Sequence, residues 1–366
     1  MVPHASIQVG IRKMVRPIER ISPSTAYSFY LCQLKEILRF NNMPPLLPSF
    51  PSARLGTAIH SVLEEAAKGR INDKPSFEEQ WRIKVSLVEG IMGRIPAERH
   101  LIPLEESART FEVKKIQAWN LIKKSYISHD PFNKPSSLNV EKGLESSSSK
   151  VGGRTDLIVT RNEGAEIVDF KTGNLLDESG KPKVEYQMQM KLYAALYYDN
   201  YSEWPRKLTL VGLNQERHEI GFSPNECRKL LSDLEHKLDD VNKKIQSDEP
   251  LSNFASPSPE ACRYCPYRPT CLSYWSERED SEAWPKDVSG KVIEKSASRM
   301  GLLRIILENK GKRYIIRGLS ARNSLNDDRA QNVLVCNLGQ DQFSGQFMET
   351  QMTIVFQEEM NISNQS

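Results

Sequence analysis

The segments Gly153-Arg154-Thr155-Asp156 and Val168-Asp169-Phe170-Lys171 decide the reading of this chain. Both have the pattern of strands, joined by a five-residue turn, Arg161-Asn162-Glu163-Gly164-Ala165. Strand side chains alternate between faces, so Asp169 and Lys171 share one face while Val168 and Phe170 turn into a core. An antiparallel partner strand would bring Asp156 beside them. Two carboxylates converging beside a lysine make a site for a hard divalent cation, with an ammonium placed for a water or a phosphate oxygen. That chemistry suits phosphodiester hydrolysis. Taken alone, Asp-x-Lys is an ordinary solvated strand edge, and the reading rests on its neighbours.

Asp156 precedes Asp169 by 13 residues, and Tyr186-Gln187-Met188-Gln189-Met190-Lys191-Leu192-Tyr193 follows. This last segment is helical in pattern, and the i, i+4 spacing puts Gln189 and Tyr193 on one face. Upstream, Gly56-Thr57-Ala58-Ile59-His60 opens a helix that runs on through Ser61-Val62-Leu63-Glu64-Glu65-Ala66-Ala67. Ile59, Val62, Leu63 and Ala66 form its apolar stripe, with His60 at the edge.

The order G-x-x-x-H, G-G-x-x-D, V-D-x-K, Q-x-x-x-Y over residues 56 to 193 resembles the RecB-type nucleases of the PD-(D/E)XK superfamily. The resemblance implies that His60, Asp156 and Asp169 ligate Mg²⁺ or Mn²⁺, helped by the Phe170 carbonyl. It implies that Lys171 orients or activates the attacking water, with Gln189 and Tyr193 beside the site and the DNA strand.

There are six cysteines, three of them in Cys262-Arg263-Tyr264-Cys265-Pro266-Tyr267-Arg268-Pro269-Thr270-Cys271. No secretory signal is evident, so metal binding is a better default than disulfides. Three thiolates in one loop need a fourth ligand, and Cys32 is the candidate. Spacing does not choose between zinc and an iron–sulfur cluster. The resemblance does: an iron–sulfur subgroup, including the AddB nuclease domain and the nucleases of CRISPR spacer acquisition, places one cysteine in an N-terminal S-x-S helix and three beyond the core. Ser22, Ser24 and Cys32 match the first part, and Cys262, Cys265 and Cys271 the second, which implies a [4Fe–4S] cluster. Cys227 and Cys336 read as small buried hydrophobes.

With 366 residues, 39% hydrophobic and 27% charged, the chain suffices for two domains or one elaborated one. No apolar run approaches membrane-spanning length, so a soluble, cytoplasmic protein is expected. No G-x-x-x-x-G-K-S/T loop is present, so the chain is not itself a helicase motor, and a helicase, recombination or defence partner is expected. Residues 21 to 40 read as helical, and residues 76 to 129 hold helical patterns around Trp81 and Trp119, taken as part of a helical insertion over about 70–135. Val140 and Glu141 belong to a first core strand. Segments 207–213 and 217–220 read as strands, and Ser223, Pro224 and Glu226 begin a long helix with a capping box.

The final 80 or so residues change texture. Segments 291–294, 302–307 and 312–317 read as three strands, followed by a polar, helix-like stretch over 321–331 and apolar runs at 333–335 and 352–356. Five strands with a break after the third resemble a small OB-like barrel. Residues 286–322 carry 10 Lys or Arg against 3 acids. A basic face formed by Lys312, Arg313 and Arg317 would track a phosphate backbone, with no stacking aromatic beyond Tyr314.

The expected architecture is therefore α/β: a restriction-endonuclease-like mixed sheet flanked by helices over 1–282, and an OB-like β-barrel accessory domain over 283–366. The expected activity is a metal-dependent DNA nuclease, an exodeoxyribonuclease acting on single strands or ends in DNA repair, recombination or defence. Two readings compete with it: a non-cleaving iron–sulfur DNA-binding subunit of a helicase–nuclease complex, and a nuclease acting on RNA.

Overall fold

A computed structural model describes residues 15–124, 137–325 and 332–357. By packing, 16–40 and 50–249 form one compact unit, and 41–49 form another with the described part of Pro250–Ser366.

The first unit opens with α1 (Pro23–Leu31) and α2 (Gln33–Phe40). The stretch expected to be helical over 21–40 is two helices, because Cys32 adopts extended angles (φ −156°, ψ 108°). Next come α3 (Pro51–Ala67), α4 (Lys74–Met92), the single turn α5 (Leu104–Ser107) and α6 (Phe111–Lys124). Helix α3 begins at Pro51 rather than at Gly56: proline suits the first helical position, where its missing N–H costs nothing. Asp73 caps α4 through a reciprocal bond pair with Ser76. The expected helical insertion is helical through Lys124, and 125–135 lie outside the described residues. Phe77 packs between Trp81 and Trp119, which binds α4 to α6.

Strands β1 (Ser137–Glu145), β2 (Gly152–Arg161) and β3 (Gly164–Lys171) form an antiparallel meander. Helix α7 (Val184–Tyr201) then carries the chain to β4 (Lys207–Gly212), which lies parallel to β3, and β5 (Arg217–Glu219) closes the order β1-β2-β3-β4-β5. The turn between β2 and β3 has two residues, Asn162 and Glu163, not the expected five, because Arg161 already pairs with Gly164. Gly164 sits at φ +121°, an angle that a side chain resists. Ala165, Ile167, Val168 and Phe170 are all buried, as a central strand covered on both faces requires. Helix α8 (Pro224–Gln246) starts at the Ser223 cap as expected, but Glu226 spends its carboxylate on Lys191.

The second unit begins with the short helices α9 (Pro259–Arg263) and α10 (Leu272–Glu277), followed by β6 (Val288–Ala297), β7 (Leu303–Asn309), β8 (Lys312–Leu319), β9 (Asn332–Cys336), β10 (Gly339–Gln340), β11 (Phe347–Met348) and β12 (Ile354–Gln357). Ala321–Asn323 is a short 3-10 turn; the rest of the helix expected there, 326–331, lies outside the described residues. Strands β10 and β11 escaped sequence reading because two residues carry no periodicity, and Met352-Thr353 is turn rather than strand.

The sheet runs β10-β11-β8-β7-β6-β9-β12, with β11 parallel to β8 and β12 antiparallel to β9. The chain therefore leaves β11, next to one edge, at Met348 and joins the opposite edge at Ile354. Six Cα steps span at most about 21 Å, whereas five interstrand gaps laid flat span about 24 Å. The connection also contains a turn, Thr353 N–H to Thr350 O at 3.1 Å. Hence the sheet curls, wrapping Val288, Ile305, Leu307, Ile316, Leu319 and Val335. Beside it, Asp287 accepts from Arg268 Nε (2.5 Å), Tyr274 Oη (2.8 Å) and the Asn337 amide (2.8 Å), all in a buried cluster.

Candidate active site

Strand pairing positions the two carboxylates. Leu157 pairs with Val168, so Asp156 on β2 falls opposite Asp169 on β3, and Asp156 Oδ2 accepts the Phe170 amide at 2.7 Å. His60 comes from α3, its Nδ1 3.3 Å from Asp156 Oδ2. The His60 side chain remains 35% exposed while Asp169 is only 4% exposed, so the group has one open side.

Lys171, two residues beyond Asp169, lies 2.8 Å from Asp169 Oδ2. That oxygen is buried and has no well-aligned hydrogen-bond donor, so the pair is held by charge. Gln189 on α7 bridges the two side chains: its Nε2 donates to Asp169 Oδ1 (2.8 Å), and its Oε1 accepts from Lys171 Nζ (2.7 Å). Tyr193, one turn on, donates to the Arg154 carbonyl at 2.6 Å and anchors β2 to α7. Two glycines permit these approaches. A Cβ on Gly153 would stand 2.9 Å from Pro23 and 3.3 Å from Tyr193 Oη, and one on Gly56 would stand 2.8 Å from Thr172 Oγ1.

Burial pulls against ionisation throughout the site. For Asp156, burial pushes the carboxyl up, but the His60 hydrogen bond and charge, the Phe170 amide and Lys171 outweigh it and hold it below its ordinary value. For Asp169, burial dominates and the Asp156 charge adds to it, so this carboxyl rises above its ordinary value despite Lys171. Burial disfavours the His60 imidazolium, yet Asp156 and Asp169 raise it on balance. Two neighbouring carboxyls are thus driven in opposite directions, an arrangement that occurs at functional sites and in structural ion-pair networks alike.

Three further residues lie at the site. Lys171 Nζ lies 4.6 Å from the centre of the Tyr186 ring. Tyr186 stands three residues before Gln189 on the same helix face, a spacing that would have exposed it. Lys114 of α6 donates to the Thr172 carbonyl just past β3, a contact with no local signal. Glu141 lies across from Asp156 on β1 at φ +50°, and burial together with the Asp156 and Glu64 charges raises its carboxyl.

The donor set of His60, Asp156, Asp169 and the Phe170 carbonyl is chemically that of a hard divalent cation, and the buried Asp169 Oδ2 without an aligned donor fits such a role. Lys171 lies against Asp169 and His60 against Asp156, and among the described residues no three His, Cys, Asp or Glu side chains gather into a ready-made metal cage.

No disulfide joins any of the six cysteines. Cys32 lies at the break between α1 and α2 in the first unit; Cys262, Cys265 and Cys271 belong to the second. Cys227 and Cys336 are fully buried. In the curled sheet, Lys312 pairs with Asp280, Arg313 with Glu308 (3.6 Å) and Arg317 with Asp341 (3.5 Å), so the basic face is partly neutralised by its own acids. The expectation of a lone stacking aromatic fails: β11 brings Phe347 to 6.2 Å from Tyr314, ring centre to ring centre.

No helix among the described residues is long and apolar enough to cross a membrane. A sequence model of the PD-(D/E)XK nuclease superfamily matches residues 20–272. No curated protein matches the chain. Among solved structures, the tetrameric p202 HIN2 crystal structure matches at 10% identity and a TM-score of 0.19, over 21% of this chain and 42% of that one.

Proposed function

Because the chain belongs to the PD-(D/E)XK nuclease superfamily, a superfamily of metal-dependent nucleases, we propose that it hydrolyses DNA phosphodiesters at the His60–Asp156–Asp169–Lys171 site. One observation carries the reading: Gln189 ties the carboxylate and the ammonium of the Asp-x-Lys pair into one buried unit beside Asp156 and His60. His60, Asp156, Asp169 and the Phe170 carbonyl would hold Mg²⁺ or Mn²⁺, which when bound polarises the phosphate and acidifies water. Lys171, fixed by Asp169, Gln189 and Tyr186, presents its ammonium to the attacking water or to developing phosphate charge. Asp156 fixes the imidazole of His60 and receives the Phe170 amide, which keeps β2 and β3 in register at the reacting point. Tyr193 holds β2 against α7 rather than touching substrate.

The substrate preference for single strands or ends, exonuclease action and a helicase or defence partner belong to the same reading. The second unit supports the first of these. Support for the OB-like reading comes from the three-strand meander (β6-β7-β8), β9 returning antiparallel to β6, and a final segment that joins β8 in parallel and then β9. Lys312, Arg313 and Arg317 would meet phosphates there. The same reading assigns a [4Fe–4S] cluster to Cys32, Cys262, Cys265 and Cys271. Its support is the cysteine spacing alone.

The deciding experiment incubates purified protein and Mn²⁺ with end-labelled single- and double-stranded DNA and RNA. Wild type should degrade DNA, and Asp169→Asn and Lys171→Ala should lose cleavage while still binding it. Cleavage at the wild-type rate by either variant refutes the assignment. Iron analysis of anaerobically purified protein tests the cluster separately: zinc without iron refutes it.

A further inference from the structure

Asp280, in the segment between α10 and β6, lies in a cradle of cationic and hydroxyl donors. Arg278 Nη2 reaches its Oδ1 at 3.0 Å, while Lys312 Nζ and Tyr314 Oη (3.1 Å) meet its Oδ2. Three donors from two separate stretches of chain surround one carboxylate, an arrangement that suits an oxyanion. Arg278 is nearly buried, and its Nε has no acceptor.

The carboxylate borders a cavity of about 260 Å³. Its walls carry Arg278, Lys286, Lys312 and Arg313 against a single acid, Asp280 itself. Tyr314 and Phe347 also line it, their rings inclined at 48° to one another. Gln340, Ser344 and Gln346 add polar groups to the lining. Cations, aromatic rings, amides and hydroxyls lining one cavity match the parts of a nucleotide, cations for the phosphate and rings for the base. The cavity falls just below the roughly 300 Å³ of ordinary small-molecule pockets. It therefore suits one splayed base, which a duplex cannot present without unstacking.

We propose that this cavity takes one nucleotide of a single strand, its base against Tyr314 and Phe347 and its phosphate in the place of the Asp280 carboxylate. The proposal rests on the nucleic-acid reading above, but it specifies base stacking where the basic face alone offers only phosphate contacts. It also makes Asp280 a competitor that the strand displaces.

The test is fluorescence anisotropy in EDTA, where no cleavage occurs, with a labelled oligothymidylate and a matching abasic strand. Asp280→Asn should bind both strands about tenfold more tightly, having lost the charge that occupies the phosphate position. Phe347→Leu keeps apolar volume but removes the ring. It should weaken oligothymidylate about 5- to 100-fold, in line with the loss of one stacked base, and leave the abasic strand nearly unchanged. Unchanged or weaker binding by Asp280→Asn overturns the proposal, as does an equal loss on both strands for Phe347→Leu; thermal melting verifies that both variants fold. Running the series in an Asp169→Asn background separates the two readings. Tight, base-dependent binding by a wild-type chain that never cuts refutes only the nuclease assignment.

Discussion

Replacing Gln189 probes the site without touching either proposed charge. Gln189 is 6% exposed and makes two hydrogen bonds, each to an ionised partner. Such bonds contribute about 1.5–3 kcal/mol apiece. In Gln189→Met the volume is retained and both bonds vanish, while the Asp169–Lys171 contact at 2.8 Å remains and offsets part of the loss. A net destabilisation of about 2–3 kcal/mol follows. For a unit of this size that corresponds to a melting temperature lower by about 4–12 °C. The effect on rate has a different origin. Without Gln189, Lys171 is held by Asp169 and the Tyr186 ring alone, and a displacement of about 1 Å at a reacting group costs roughly a hundredfold. Single-turnover cleavage of saturating labelled DNA by Gln189→Met should therefore be about a hundredfold slower, with DNA affinity within about threefold of wild type. Gln189→Glu sharpens the test, because it keeps the acceptor for Lys171 and points a second carboxylate at Asp169 Oδ1. Buried carboxyls this close share a proton, so Asp169 should ionise at higher pH and cleavage should need a higher pH than in wild type. A Gln189→Met protein that melts and cuts like wild type refutes the bridging role.

Three other outcomes follow from contacts away from the reacting centre. Burial pushes Glu65 up, but hydrogen bonds from Lys84 and Arg70 overcome it and leave its carboxyl below the ordinary 4.5. Its contribution to stability is therefore complete above pH 4.5 and lost as pH falls below that value, so urea midpoints of wild type and Glu65→Gln should differ at pH 6 and converge near pH 3. Burial raises the Cys227 thiol to about 12 and Cys336 well above its usual value, so native protein treated with iodoacetamide should be modified at neither, as mass spectrometry of the digest will show. Asp287→Ala strands the buried Arg268 guanidinium and should lower stability by about 3–5 kcal/mol, read from denaturant unfolding; a loss below 1 kcal/mol contradicts the burial of that pair.

Much of the site was legible because its motifs are short and their chemistry is local. Asp169 and Lys171 share a strand face by the period of two, and Gln189 and Tyr193 share a helix face by the period of 3.6. The register was not legible: the five-residue turn read from the sequence would set Asp156 opposite Phe170, and the two-residue turn of the structure shifts it by one to Asp169. The misreadings were also local. Gly56 looked like a helix start, yet Pro51 begins the helix five residues earlier, and Gly56 is instead the place where Thr172 comes close. The break at Cys32 left no mark in the surrounding helical pattern.

By itself the sequence determined the residue chemistry and the order of the motifs, because periodicity, capping and the alternation of strand faces act within a few residues. The tertiary structure alone decided which distant groups meet. Gln189 bridges Asp169 and Lys171, Tyr186 lies under Lys171, Lys114 reaches Thr172, and Phe347 comes to Tyr314. The last of these depends on a two-residue strand pairing in parallel with β8, a contact set by how the sheet curls. Asp280 enters its cradle for the same reason: the linker and the third strand of the meander are adjacent in space but 32 residues apart in sequence. Such meetings depend on chain crossing and register, which are fixed when buried faces pack against one another and which no short stretch of sequence specifies.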